Sequence, residues 1–334
     1  MTTPWRIAAL LSILPALLLI VGLVVRQPVF PPSPGGPPRG ADPKRLEKHV
    51  RFLAEACKPR DVEHPANLDK AAAYIKEELK AAGGAVSEQV FVFEEFNQKN
   101  KKVGRGPFRN VIAVFGPETL ERIVVGAHYD AFGEFPAADD NASGTAGLLE
   151  LARLLGQSPP PLRVELVAYS TEEPPYFATE HMGSARHAES LKEKNAAVRA
   201  MISLEMIGYF SDEPGSQKYP IPLLRLYYPG EGNFITVVGR LQDGALIRKV
   251  KKSMQGASPL AVYSIAGPRA IPGIDYSDQL NYWDRGYPAV MVNDTAFYRN
   301  LNYHTPKDTP ERLDYKRMAE VVEGVFAAVG DLWR

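Results

Sequence analysis

Four short apolar runs, at residues 122–127, 163–170, 200–207 and 289–292, constrain this chain more than anything else in it. Each has the length of a strand rather than a helix, and the first is β-branched throughout its middle, the mark of a strand buried on both faces. Helix-like stretches lie between them, among them 143–155, whose small first turn at Ser143, Gly144 and Ala146 permits close approach. Such alternation predicts an α/β fold with a mixed, mostly parallel sheet between helix layers and a ligand site at the strand carboxyl ends.

Every run leads into a residue type that binds metal ions. The first delivers His128, and Asp130, two residues on along an extended chain, faces the same way and is placed to hold the second ring nitrogen. A loop with Gly133 and Pro136 then reaches Asp140, where one carboxylate can give an oxygen to each of two metals. The second run ends in Glu172 and Glu173, which cannot point the same way; Glu173 is expected to bind metal and Glu172 to act as general base on water. The third places Glu205 in an apolar stretch, a buried acid that needs a partner. The fourth leads through an aromatic loop, in which Phe297, Tyr298 and Tyr303 read equally as pocket lining or as packing, to His304 in Tyr-His-Thr-Pro-Lys-Asp-Thr. Histidine nitrogen with carboxylate oxygen is the donor set of catalytic Zn2+, which keeps one position open for water.

Each piece alone has a bland reading. A lone histidine at a strand end is more often structural, Glu172-Glu173 is an ordinary solvated pair, Glu205 could be a core acid bonded to backbone, and Met201, Met206 and Met291 read as packing. Together they recur in one order at strand ends, separated by 12, 33, 32 and 99 residues from His128 through Asp140, Glu173 and Glu205 to His304. The joint pattern favours a metal site.

From residue 41 to 334 the chain resembles the co-catalytic di-zinc aminopeptidases of metallopeptidase family 28, the group that includes bacterial secreted aminopeptidases and the glutamate carboxypeptidase ectodomain. The resemblance rests on Gly-Ala-His128-Tyr-Asp, Asp-Asp140-Asn-Ala-Ser-Gly, Glu172-Glu173, Glu205 and Tyr-His304-Thr-Pro, with Met182-Gly183-Ser184 and Tyr276-Ser277-Asp278 in support. It implies the zinc-exopeptidase form of a three-layer α/β/α sandwich (phosphorylase/hydrolase-like) and two Zn2+ per chain, one held by His128, Asp140 and Glu205 and the other by Asp140, Glu173 and His304. It also implies a cis peptide after Asp140, Glu172 as base, a peptide substrate, and exopeptidase activity, most simply that of an aminopeptidase. Two positions depart from the commonest family pattern: Glu205 replaces an aspartate, and Gln279 replaces a frequent histidine after Ser277-Asp278. A single-zinc glutaminyl-peptide cyclotransferase and a non-catalytic, receptor-like ectodomain are the alternatives; the second loses ligands, whereas here all six key positions hold competent residue types.

Composition excludes some partners. Lys+Arg and Asp+Glu are both 39, so there is no basic field for nucleic acid. Cys57 is the only cysteine, which rules out an intrachain disulfide and reads as packing or a modest surface thiol. Residues 7–25 lack charge, predicting a transmembrane signal anchor over 1–26, and residues 27–42 read as a Pro/Gly-rich linker. The zinc peptidase domain then covers 43–334, with 211–275 as an insertion within it. Membrane anchorage through that N-terminal helix, with the catalytic domain extracytoplasmic (periplasmic if bacterial), is the expectation, and secretion after cleavage the runner-up. Oligomeric state is left open. Further elements expected are helices at 43–57, 67–82 and 244–254, a hairpin of strands 86–93 and 108–115 with a basic tip at 99–102, and a strand at 223–227.

Overall fold

The computed structural model describes the backbone of residues 4–30, 40–96 and 102–334, and the side chains of 15–30, 40–95 and 105–334. After α1 (Pro4–Arg26), Asp42 starts α2 (Pro43–Arg51) by accepting a hydrogen bond from Lys44 N, with proline at the first helical position. Helix α3 (Pro65–Ala81) leads into the hairpin of β1 (Ala85–Phe96) and β2 (Lys102–Phe115), then β3 (Glu121–His128). There follow α4 (Gly144–Gln157), β4 (Arg163–Tyr169), α5 (Gly183–Glu193), β5 (Ala197–Glu205), β6 (Phe234–Gly239) and α6 (Gly244–Gln255). The chain closes with β7 (Ala261–Ala266), α7 (Gln279–Asp284), β8 (Ala289–Asn293) and α8 (Tyr315–Leu332).

All eight strands form one sheet in the order β1-β2-β4-β3-β5-β8-β6-β7. Neighbours β4, β3, β5 and β8 are parallel, whereas β1/β2, β2/β4 and β6/β8 pair antiparallel. Alternate side chains enter different cores, as strand pleating requires: Ile123, Val125 and Ala127 of β3 join the core under α2, α4, α6 and α8, and Val124 joins the one under α5 and α7. This is the expected mixed sheet between two helix layers. The four parallel neighbours place their carboxyl ends side by side, and β3 and β5 end in His128 and Glu205.

Some expectations need correction. Residues 223–227 are not a strand: Pro222 opens a 3-10 turn, Pro222–Leu226, in which Leu224 is buried while Leu223 and Leu226 are 46% and 67% exposed, so the segment presents no continuous apolar face to a sheet. Strands β6 and β7 were not anticipated; with α6 they lie in 211–275 and extend the same sheet. The basic run at 99–102 lies outside the described residues up to 101, and Lys102 starts β2. Cys57 is fully buried.

Residues of the expected anchor do form α1, but among the described residues no helix is long and apolar enough to cross a membrane. The end of α1 rests on the folded body of the chain: Tyr227 Oη donates to Leu18 O (2.7 Å), and Lys251 Nζ donates to Arg26 O (2.7 Å) and Gln27 O (2.5 Å). Of the expected linker, 31–39 lie outside the described residues, and its last part is tied down where Asp42 N donates to Glu150 Oε1 (2.8 Å).

Candidate metal centre

His128 emerges from β3 almost fully buried, and three carboxylates surround its Nε2: Glu205 Oε2 at 3.3 Å, Asp140 Oδ1 at 3.5 Å and Glu172 Oε2 at 3.8 Å. Asp140 divides its oxygens, Oδ1 toward His128 and Oδ2 toward His304 Nε2 at 3.0 Å. Glu173 Oε2 lies 3.3 Å from the same His304 nitrogen. Donor atoms of His128, Glu172 and Glu205, and of His128, Asp140 and Glu173, form two groups each within 4.8 Å. The six residues singled out in the sequence as ligands or base thus meet at one place, although the second of these groups contains His128 where the family resemblance implies His304.

Local chain geometry explains how they meet. The turn at 138–143 carries a cis Asp140-Asn141 peptide, as the resemblance implied, and the Asn141 side chain fastens it to β5. Its Nδ2 donates to Leu204 O (2.8 Å), and its Oδ1 accepts from Gly144 N (3.0 Å) and Met206 N (3.1 Å). A Cβ on Gly144 would lie 2.3 Å from that Oδ1 and 2.5 Å from Leu204 O, so only glycine allows the approach. Asp130 lies 3.5 Å from His128 Nδ1, and its hydrogen bonds are accepted from Glu172 N (3.2 Å) and Glu173 N (3.1 Å). It therefore shapes the turn that splits the two glutamates, a task the sequence did not suggest. His304, at φ +53°, is clamped between Phe132 (4.2 Å, 8° between planes) and Tyr303 (3.8 Å, 15°).

A ring of polar residues outside this centre was not legible in the sequence. Ser277 Oγ donates to Glu205 Oε2 (2.6 Å), Asp308 Oδ2 accepts from Asp140 N (3.1 Å), and Asn300 Nδ2 donates to Asp139 Oδ2 (2.9 Å). Ser277 and Asp308 sat inside the family-like motifs, which was the available signal.

The electrostatics call for a cation. Burial, with help from neighbouring acids, pushes Glu172 and Glu205 above their ordinary values and Glu173 up to about 7. Burial opposes ionisation of the histidines too, but Glu172 and Glu205 hold His128 well above its usual value, and Asp140 with Glu173 raises His304 to about 10. Burial disfavours the Asp140 carboxylate, yet the two histidines outweigh it and hold it below the usual range. His304 Nε2 and Glu173 Oε1 are buried without a hydrogen-bond partner. Four carboxylates and two imidazoles converging in a buried place, with orphaned donor atoms, fit Zn2+ by number and type.

Removing metal should therefore make stability strongly pH-dependent. Asp278, Asp294 and Asp308 are each raised to about 7 by burial, like Glu173. A carboxyl whose folded pKa is raised stabilises the fold while protonated, and that contribution is lost as pH rises through about 7. Buried His49 and His187, lowered to about 4, act oppositely, but only below the unfolded histidine value of about 6.5. The chelated protein is expected to melt at a lower temperature at pH 8 than at pH 6.5, a window in which the raised acids and the raised His128 and His304 all lose their stabilising contribution in the same direction, and the zinc-loaded protein to shift less. Scanning calorimetry of both forms checks this; a chelated protein more stable at pH 8 contradicts it.

Beside the centre lies a cavity of about 350 Å³, bounded by Asp140, Glu172, Glu173, Glu205 and His304 on one side. Its other walls are mostly apolar, with Phe177, Tyr219, Phe234, Ile271, Phe297 and Tyr298 among them. Among the described residues, Lys218 is the one basic side chain besides His304 in the lining, and its Nζ is turned to Gly215 O at 2.9 Å.

The chain is similar to known proteins in both sequence and fold. Residues 110–329 match Peptidase family M28. The chain is 48% identical to the YfbL protein of Escherichia coli (strain K12) over 297 residues, 86% of this chain and 88% of that one. It is 28% identical to leucine aminopeptidase 1 of Ajellomyces dermatitidis over 227 residues, 63% of this chain and 52% of that one, so it spans about half the length of that relative. Among solved structures it shares its fold with BSAP, a zinc aminopeptidase from Bacillus subtilis, at a TM-score of 0.67 and 17% identity, covering 88% of this chain and 96% of that one.

Proposed function

The chain belongs to peptidase family M28, and we propose that it is a zinc-dependent aminopeptidase that removes large apolar residues from peptide amino termini. The observation that carries this reading is Asp140, whose two oxygens face two different histidines, Oδ1 toward His128 and Oδ2 toward His304. That arrangement suits a carboxylate shared by two metal ions. We assign His128, Asp140 and Glu205 to one ion and Asp140, Glu173 and His304 to the other. When bound, Zn2+ supplies Lewis acidity toward water and the peptide carbonyl.

The protein's own groups do the rest. Glu172 points into the cavity with its pKa raised by burial, which suits a base that takes a proton from the attacking water and returns it to the departing amine. Asp130 holds the main chain of Glu172 and Glu173, fixing which carboxylate faces the reacting water. A cavity rich in carboxylates suits a substrate's ammonium end, whereas among the described basic side chains of the lining a carboxy-terminal carboxylate would find, besides His304 already paired with Asp140 and Glu173, Lys218 turned to Gly215. The apolar walls suit a bulky hydrophobic side chain next to that ammonium group. Membrane attachment through α1, with the active site outside the cytoplasm, stays part of the proposal and is motivated by the uncharged stretch 7–25.

A peptide library digested with the purified protein and read by mass spectrometry tests the specificity. The expected products lack one amino-terminal Leu, Ile, Met, Phe or Tyr at a time. Release of carboxy-terminal residues, or preference for charged amino-terminal ones, contradicts the assignment.

A further inference from the structure

The loop that joins His128 to Asp140 is irregular, and it is organised by a side chain from elsewhere in the chain. Arg60 is 0% exposed and heads the largest fully buried side chains. Its Nε donates to Tyr129 O (3.0 Å), its Nη1 to Pro136 O (2.5 Å) and Leu53 O (3.4 Å), and its Nη2 to Ala137 O (2.5 Å). Its own carbonyl accepts from Ala131 N (3.1 Å), so the loop is held from both directions. Tyr129 directly follows His128, and Ala137, in the left-handed conformation at φ +50°, is the residue from which the turn bearing Asp140 departs. All four acceptors are main-chain carbonyls. A buried guanidinium without a carboxylate against it is costly by itself, and Cys57 together with the negative field of Asp140, Asp308 and Asp130 nearby offsets part of that cost.

We propose that Arg60 is a positioning residue for the metal centre: its planar fork ties the carbonyl after His128 to the carbonyls before Asp140 and so sets the spacing between those two ligands. The proposal rests on the zinc reading of the site. Lysine could not replace it, because one ammonium presents its donors from a single point and cannot reach carbonyls at both ends of the loop. Arg60 touches neither substrate nor ligand side chain and acts only through the backbone that carries them.

The test compares Arg60→Ala and Arg60→Lys with the parent full chain, reading zinc affinity by competition with a fluorescent chelator and kcat and KM separately. Both variants are expected to bind zinc about 10–100-fold more weakly and to lose kcat by a similar factor, with KM changed by no more than about threefold. Millimolar guanidinium, but not urea, is expected to restore at least about tenfold of the loss in folded Arg60→Ala, a rescue that a general packing defect would not show. Zinc affinity within about threefold of the parent in either variant overturns the proposal, and so does a loss in folded Arg60→Ala that guanidinium leaves unchanged. If Arg60→Ala does not fold, Arg60→Lys decides alone by its zinc affinity. Because that readout needs no turnover, a failed peptidase reading shows separately, as a parent that binds zinc and leaves peptides intact; a parent that binds no zinc overturns both.

Discussion

Glu172→Gln is expected to keep its zinc and its fold and to lose about 10²–10⁴-fold in kcat, the range general acid–base catalysis supplies. The glutamine is isosteric and its main-chain N–H still reaches Asp130, so the turn at Glu172 and Glu173 should stand. What disappears is the only group in this account that can take a proton from water and deliver it to the amine. Metal analysis beside steady-state kinetics separates the two properties. Near-parental kcat in the variant sinks the base assignment, and loss of zinc with unchanged kcat per bound ion would make Glu172 a ligand instead. The second outcome has a physical basis, since Glu172 Oε2 lies 3.8 Å from His128 Nε2 and falls with Glu205 within 4.8 Å of it.

Asp140→Ala should damage metal binding as well as turnover. Its carboxylate is, among the described residues, the one within 4 Å of both histidines, at 3.5 Å and 3.0 Å, so its removal weakens both proposed ion sites together. Metal ions contribute several kcal/mol to such reactions, and losing roughly 4 kcal/mol corresponds to about 10³-fold in kcat/KM. His304→Ala, by contrast, should weaken chiefly the ion shared by Glu173 and Asp140. Isothermal titration of zinc into the chelated variants distinguishes them: two weakened sites for Asp140→Ala, one for His304→Ala. Two intact sites in Asp140→Ala would show that the carboxylate is not shared.

What could be read in the sequence follows from where each signal is stored. The runs that become β3, β4, β5 and β8 are buried along nearly their whole length, so hydrophobicity alone marks them, and parallel neighbours bring their carboxyl ends together. Strand β7 is an edge with alternating exposure, and β6 lies in a stretch punctuated by Pro229, Gly230 and Gly232, so neither stood out. The error at 223–227 came from apolar content, which an exposed 3-10 turn beginning at Pro222 can also carry. The proposed ligands and base were legible because their residue types are chemically restricted. Their supports were not. Asp308 receives Asp140 N across 168 residues, and Asn141 reaches Leu204 O across 63, by hydrogen bonds that impose no local pattern. Arg60, between Pro59 and Asp61, looks like any loop arginine until its burial is seen.

The most direct test of the central claim is a zinc titration of the chelated protein, assayed in parallel on a leucyl-peptide and on a peptide with amino-terminal glutamine. The shared Asp140 predicts that leucine release rises with added zinc and levels off near two ions per chain, with no cyclisation of the glutaminyl peptide. Activity that levels off at one ion together with cyclisation, or no reaction at any zinc concentration, would contradict the two-ion aminopeptidase.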